Sequence, residues 1–140
     1  MNHDAAMAVV DGMDILWAAH AERYSKVKND HYLNQAIVDE AKTYGPFDKV
    51  VYYEKPLLKK TRQLYAGQYS DALSYTEMPQ WNLDRFGIKI DEYVKHHDSH
   101  AAAGYFTSPF REATILTVDA IGEWDTVSIS TANKIWIKRK

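Results

Sequence analysis

The sequence predicts an α/β protein in which a second unit begins as the first one does. Three observations carry this. Short runs dominated by apolar residues recur at 5–10, 49–53 and 114–119 of the 140 residues. Between them, apolar residues fall three and four apart, the spacing of helices. The opening order of a strand and a hairpin return comes again near the carboxyl end.

Taken in order, Ala5-Ala-Met-Ala-Val-Val10 reads as a strand buried on both faces. Asp11-Gly12 is a hairpin-turn signal, and Ile15 to Ala21 is the returning strand, leading into the polar segment Glu22-Arg23-Tyr24-Ser25-Lys26. Leu33, Ile37, Ala41 and Tyr44 predict a helix that Gly45-Pro46 ends. Lys49 to Tyr53 is the next strand, and Leu57 to Tyr75 a helix broken near Gly67. Trp81 to Gly87 fits neither period. Ile88 to Val94 is extended and feeds a helix beginning near His96, which Ser108-Pro109 stops. Thr114 to Asp119 is a further buried strand. Thr126 to Thr131 and Ile135 to Ile137 form a second hairpin through Ala132-Asn133-Lys134. Internal linkers and low-complexity tracts are absent. Both ends read as cut, so residues 1–140 are expected to be part of a larger protein.

Composition narrows the function classes. With 46% hydrophobic and 26% charged residues the chain is ordinary for a soluble globular protein, long enough to bury a core. A net charge of −2 gives no basic footprint for nucleic acid and no polybasic membrane signal. Lys59, Lys60 and Arg62 are expected to form a solvated helix face. Without cysteine there is neither a disulfide framework nor a thiolate metal site. Apolar runs are too short for a bilayer and no signal pattern opens the chain, so a cytoplasmic protein is expected.

One constellation points to chemistry. His96 and His100 lie four apart, which on a helix puts both imidazoles on one face. Asp119, at the end of an apolar strand, can add an anionic ligand. Two neutral nitrogens and a carboxylate suit a divalent transition metal that also touches substrate. Histidines at this spacing also serve as caps or hydrogen-bond partners, so spacing alone leaves both readings open. His97 sits about 100° round the helix from His96 and is expected to pack or hydrogen-bond. Asp98 is expected to support the helix start. Tyr52, Tyr53, Trp81 and Tyr105 are read as packing aromatics.

Four stretches together resemble the O-carbamoyltransferases of the nodulation and antibiotic-tailoring type. They are Asn2-His3-Asp4-Ala-Ala-Met-Ala-Val-Val-Asp-Gly, Ala21-Glu-Arg-Tyr-Ser-Lys26, Tyr53-Glu-Lys-Pro-Leu-Leu-Lys59, and His96-His-Asp-Ser-His-Ala, running on to Ser108-Pro-Phe and Leu116-Thr-Val-Asp-Ala-Ile-Gly-Glu-Trp124. The resemblance covers nearly the whole chain. It implies an actin-like, ribonuclease-H-like duplicated α/β fold, present here as its first subdomain plus the start of the second. It also implies a two-step reaction: ATP and carbamoyl phosphate give a carbamoyl adenylate, whose carbamoyl group then passes to an acceptor hydroxyl. In that family a separate C-terminal domain makes the adenylate, and the metal-bearing domain transfers the group. The expected partners are therefore a small hydroxylated acceptor and the remainder of the protein's own chain.

Carried over, the resemblance makes His96, His100 and Asp119 the metal ligands. The implied ion is Fe2+, with Zn2+ and Mn2+ as alternatives, and a further aspartate ligand is expected beyond residue 140. The loop Asp119-Ala-Ile-Gly122-Glu-Trp-Asp-Thr126 is expected to offer backbone N–H groups to a phosphate, with Gly122 and Glu123 as substrate-binding residues. Glycine is usual in the family where Ala120 stands. His3 and Asp4 occupy the equivalent place in the first unit; His3 is the candidate for a general base or acceptor-hydroxyl partner, and Asp4 for orienting it or binding the acceptor. Arg23 and Lys26 are candidates for attracting an anionic substrate. Glu54 and Lys55 are read as structural residues near the same cleft. The family's central first strand is expected before residue 5, so residues 1–140 alone are expected to be inactive and marginally stable. Two other readings stay in view: a metal-binding remnant without turnover, and a relative of the tRNA threonylcarbamoyl enzymes.

Overall fold

The computed structural model describes residues 4–12, 14–133 and 137–139. In chain order the first elements are β1 (Ala6–Asp11), β2 (Asp14–His20), α1 (Glu22–Ser25), α2 (Gln35–Lys42), β3 (Val51–Tyr52), α3 (Pro56–Tyr65) and α4 (Tyr69–Leu73). A single 3-10 turn, Tyr75–Glu77, leads to α5 (Pro79–Asp84), β4 (Glu92–Tyr93), α6 (His96–Phe106), β5 (Glu112–Val118), β6 (Val127–Asn133) and β7 (Ile137–Arg139). This is a mixed α/β chain with small sheets. It divides into two compact units, Met1–Val50 with Tyr75–Asp91, and Val51–Ser74 with Glu92–Lys140.

The first unit is built on the β1–β2 ribbon and α2. The strands pair antiparallel, with a register shift between Val9 and Val10, and turn at Gly12, whose φ of 57° suits glycine. The expectation that β1 is buried on both faces is corrected. Within β1 only Val9 is buried, while Val10 is 63% exposed and Ile15 of β2 66% exposed. The ribbon has two strands, and among the described residues nothing covers its second face. Helix α2 starts at Asn34, whose side chain accepts from the Ile37 amide at 3.1 Å, and it buries Ile37, Val38 and Ala41. Glu40 on its other side binds both the Trp17 indole at 2.9 Å and the Tyr24 hydroxyl at 2.6 Å. The ambiguous stretch near Trp81 is helical from Pro79, and there Asn82 is fully buried with its amide donating to the Thr76 carbonyl.

In the second unit α6 packs on the three-stranded antiparallel sheet β5-β6-β7. On the sheet face toward α6, Thr117 lies opposite Ser128, Ile115 opposite Ser130 and Ala113 opposite Ala132, so Ile115 is the one large apolar side chain among these pairs. Against it α6 buries His97, Ala101 and Tyr105. The other face carries the apolar pairs Leu116–Ile129 and Val118–Val127, all exposed. Thus β5, expected to be buried, is covered by the described residues on one face only. The loop joining β6 to β7 includes residues outside those described.

Strand β3 is shorter than the apolar run from Lys49 suggested and pairs in parallel with β4. The predicted break at Gly67 separates α3 from α4, with φ at 75°. The basic cluster is not simply a solvated face. Lys60 Nζ donates to the carbonyls of Asp71 and Ala72 at 3.0 Å and Ser74 at 2.7 Å, which caps the carboxyl end of α4. Lys59 pairs with the buried Glu54 at 3.0 Å. Glu54 is therefore held inside the second unit, in the structural role expected of it. No helix among the described residues is long and apolar enough to cross a membrane.

Candidate metal centre

Helix α6 begins at His96 itself. Lys95 before it is extended and gives no side-chain cap, while its carbonyl accepts from the Ser99 amide at 3.0 Å. Because the helix already runs at His96, His96 and His100 lie one turn apart, and their Nε2 atoms come within 3.1 Å. His97 turns the other way, into the sheet, where its Nδ1 meets Ser128 Oγ at 2.8 Å. Neighbouring histidines on one helix thus split between a cluster and a packed core position.

Strand β5 delivers the carboxylate. The pairing with β6 continues one residue past the strand, with the Asp119 amide donating to the Thr126 carbonyl at 2.9 Å, and the loop then folds on itself through Gly122 N–H to Asp125 O at 3.1 Å. Asp119 divides its oxygens: Oδ1 accepts from the Ala120 amide at 2.7 Å, and Oδ2 lies 2.9 Å from His96 Nε2. Partial burial works against its charge, yet the Ala120 amide and the His96 ring together hold this carboxyl below the usual carboxylate range.

The three ligand atoms lie within 4.8 Å of one another. Their chemistry fits a divalent ion. His96 Nε2 faces both Asp119 Oδ2 and His100 Nε2. One ring nitrogen has one hydrogen or one lone pair, so it cannot make a full hydrogen bond to both. Three lone pairs brought this close can be satisfied together by a cation. The set of two nitrogens and one oxygen, without thiolate, suits iron, zinc or manganese.

Two features of the β5–β6 loop differ from expectation. Gly122 was expected to admit a phosphate, but its close neighbour is His96: a Cβ there would stand 2.9 Å from His96 Cδ2 and 3.2 Å from His96 Cβ. Glu123, expected to bind substrate, is 5% exposed. Its Oε1 accepts from the Lys55 amide at 2.7 Å and the His96 amide at 3.3 Å, which ties the loop to the starts of α3 and α6. Tyr53, read as a packing aromatic, is 49% exposed and lies beside His96, ring centroids 5.8 Å apart. Only its position at a strand end could have signalled this.

The other candidates belong to the first unit. His3 lies outside the described residues. Asp4 precedes β1 with a φ of 52°. Arg23 is exposed on α1 beside Glu22 at 3.7 Å, and Lys26 Nζ donates to the Arg23 carbonyl at 2.6 Å.

Residues 80–138, which contain all three cluster residues, match the family model described as the carbamoyltransferase N-terminus. The match supports a carbamoyltransferase N-terminal domain over those residues, which make up less than half of the chain. A curated relative, the uncharacterized protein sll1178 of Synechocystis sp., is 30% identical over 155 aligned residues. That alignment takes in 91% of this chain and 25% of the relative, so the chain spans about a quarter of the relative's length.

Proposed function

We propose that this chain supplies the metal-bearing part of an O-carbamoyltransferase with an actin-like, duplicated fold. The observation that carries the reading is the convergence of His96, His100 and Asp119 within 4.8 Å, inside the segment that matches the carbamoyltransferase family. The substrate is a carbamoyl adenylate, formed from ATP and carbamoyl phosphate by another part of the full protein. In the transfer, the acceptor oxygen forms a bond to the carbamoyl carbon. The bond from that carbon to the adenylate phosphate oxygen breaks, and AMP leaves with the electron pair.

The work of this chain follows from its residues. His96, His100 and Asp119 hold the ion, Fe2+ in first place, which supplies positive charge to a phosphate or carbonyl oxygen. The acceptor's proton passes to a general base, for which His3 is the candidate. Arg23 and Lys26 draw in the anionic substrate. The net charge of −2 speaks for a small hydroxylated acceptor over a nucleic acid.

Titration of the chain with Fe2+ under anaerobic conditions, and with Zn2+ and Mn2+, tests the site. One ion per chain is expected, with affinity at least about a hundredfold lower in His100→Ala and Asp119→Ala, each of which removes a ligand. Unchanged affinity in both variants sinks the proposal. A version extended by its flanking coding sequence is then given ATP, carbamoyl phosphate and a panel of hydroxylated acceptors. Consumption of both supports carbamoyl transfer; metal binding without consumption points to a remnant that has lost turnover.

A further inference from the structure

A ligand imidazole is ordinarily oriented through its second ring nitrogen, which donates to a carboxylate or carbonyl. His96 has no such partner among the described residues: its Nδ1 is buried and without a hydrogen bond. Its orientation has to come from elsewhere, and two adjacent loop residues provide it. The Gly122 backbone lies against the ring, leaving no room for a Cβ. Glu123, buried at 5% exposure, reaches the same residue from behind, through its amide. Lys95 gives α6 no side-chain cap, so this carboxylate from a distant loop stands in for one. The same oxygen accepts from the amide of Lys55, the residue that precedes α3. A carboxylate buried this far is costly unless hydrogen-bonded, and among the described residues both of its bonds go to backbone at helix starts.

We propose that Glu123 is a positioning residue of the metal centre. By holding the His96 and Lys55 amides on one oxygen, it fixes where α6 begins against the Asp119 loop, and so sets the separation of the His96 and Asp119 ligand atoms. This rests on the metal reading above and adds a residue that the ligand set does not contain.

Co2+ serves as the probe, because its visible absorption reports ligand geometry separately from affinity. In Glu123→Ala the affinity is expected to fall about tenfold or more, the usual scale for losing outer support of a ligand, and the Co2+ spectrum to change. Glu123→Gln keeps an acceptor oxygen and is expected to stay within about threefold of the wild type. Melting of the metal-free variants is measured alongside. A Glu123→Ala chain that melts lower yet binds Co2+ with unchanged affinity and spectrum overturns the proposal, since a purely structural role does only that. A Glu123→Gln chain as impaired as Glu123→Ala also overturns it, because charge and not the acceptor would then matter. Should Glu123→Ala not fold, Glu123→Asp, which withdraws the acceptor by one methylene, carries the same expectation and the same refutation. A wild-type chain that takes up no Co2+ removes the metal reading itself, whereas wild-type uptake with unaffected variants removes only the role of Glu123.

Discussion

The hairpins β1–β2 and β5–β6 start alike, each an apolar strand running to an aspartate and then a turn, but they use glycine for opposite reasons. In the first, β2 resumes at Asp14, Gly12 has a φ of +57°, and nothing stands within 4 Å of where its Cβ would be. In the second, β6 resumes only at Val127, and Gly122 lacks a Cβ because the His96 ring occupies the space. One glycine serves the backbone and the other serves a neighbour. The longer loop can fold back onto α6 and carry Asp119 and Glu123 to it, which a tight turn cannot do.

Paired substitutions can break this comparison. Gly122→Ala is expected to have the larger effect: overpacking against His96 costs about 1–3 kcal/mol, and metal affinity falls by about tenfold because a ligand ring is displaced. Gly12→Ala is expected to cost about 1–2 kcal/mol through the left-handed backbone, with metal affinity unchanged. Calorimetric titration and thermal melts on both variants decide it; equal metal affinities would show that Gly122 does not support the ligand.

A smaller effect sharpens the division of α6 into a ligand face and a packing face. Ser128→Ala leaves the His97 Nδ1 buried without its 2.8 Å partner. A loss of about 1–3 kcal/mol in urea unfolding is expected, with metal affinity held within about threefold of wild type. If affinity falls as far as in Gly122→Ala, the two faces are not independent.

The smallest expected effect concerns one carboxyl in each unit. Asp30 is held below the usual range by the Ser25 hydroxyl and the Tyr32 amide, and Asp119 by the Ala120 amide and His96 against the opposing burial. A depressed folded-state pKa adds stability that is present above the unfolded value of about 3.9 and is lost as pH falls through the folded value. Carboxyl NMR titration of the metal-free chain should give midpoints below about 3.9 for both. A midpoint at or above that value for Asp119 would mean that His96 and Ala120 do not outweigh its burial.

Local signals account for what could be read in advance. The helical spacing of His96 and His100, the strand leading to Asp119, the Asp11-Gly12 turn and the break at Gly67 all depend on neighbours in sequence. The family resemblance, too, rested on contiguous motifs, of which the fourth lies within residues 80–138, the segment that matches the carbamoyltransferase N-terminus. What escaped depends on tertiary partners. Lys60 looked like one more surface cation because the three carbonyls it caps lie eleven to fourteen positions away. The hold of Glu123 on the starts of α3 and α6 gave no signal because its two amides lie 27 and 68 positions away. The apolar runs in β1 and β5 suggested burial, yet pattern alone cannot say whether a second layer covers a strand.

The paired imidazoles ride on a single helical turn, whose pitch of about 5.4 Å neither can alter by itself. The carboxylate arrives from a different stretch of chain, and its angle of approach is set by residues 119–126. A clamp built this way has one jaw set by the helix and one set by the connecting loop. Were the cluster to hold a metal, discrimination among ions of different radius would be a property of the connecting segment, and redesign for another cation should begin there and leave the helix alone.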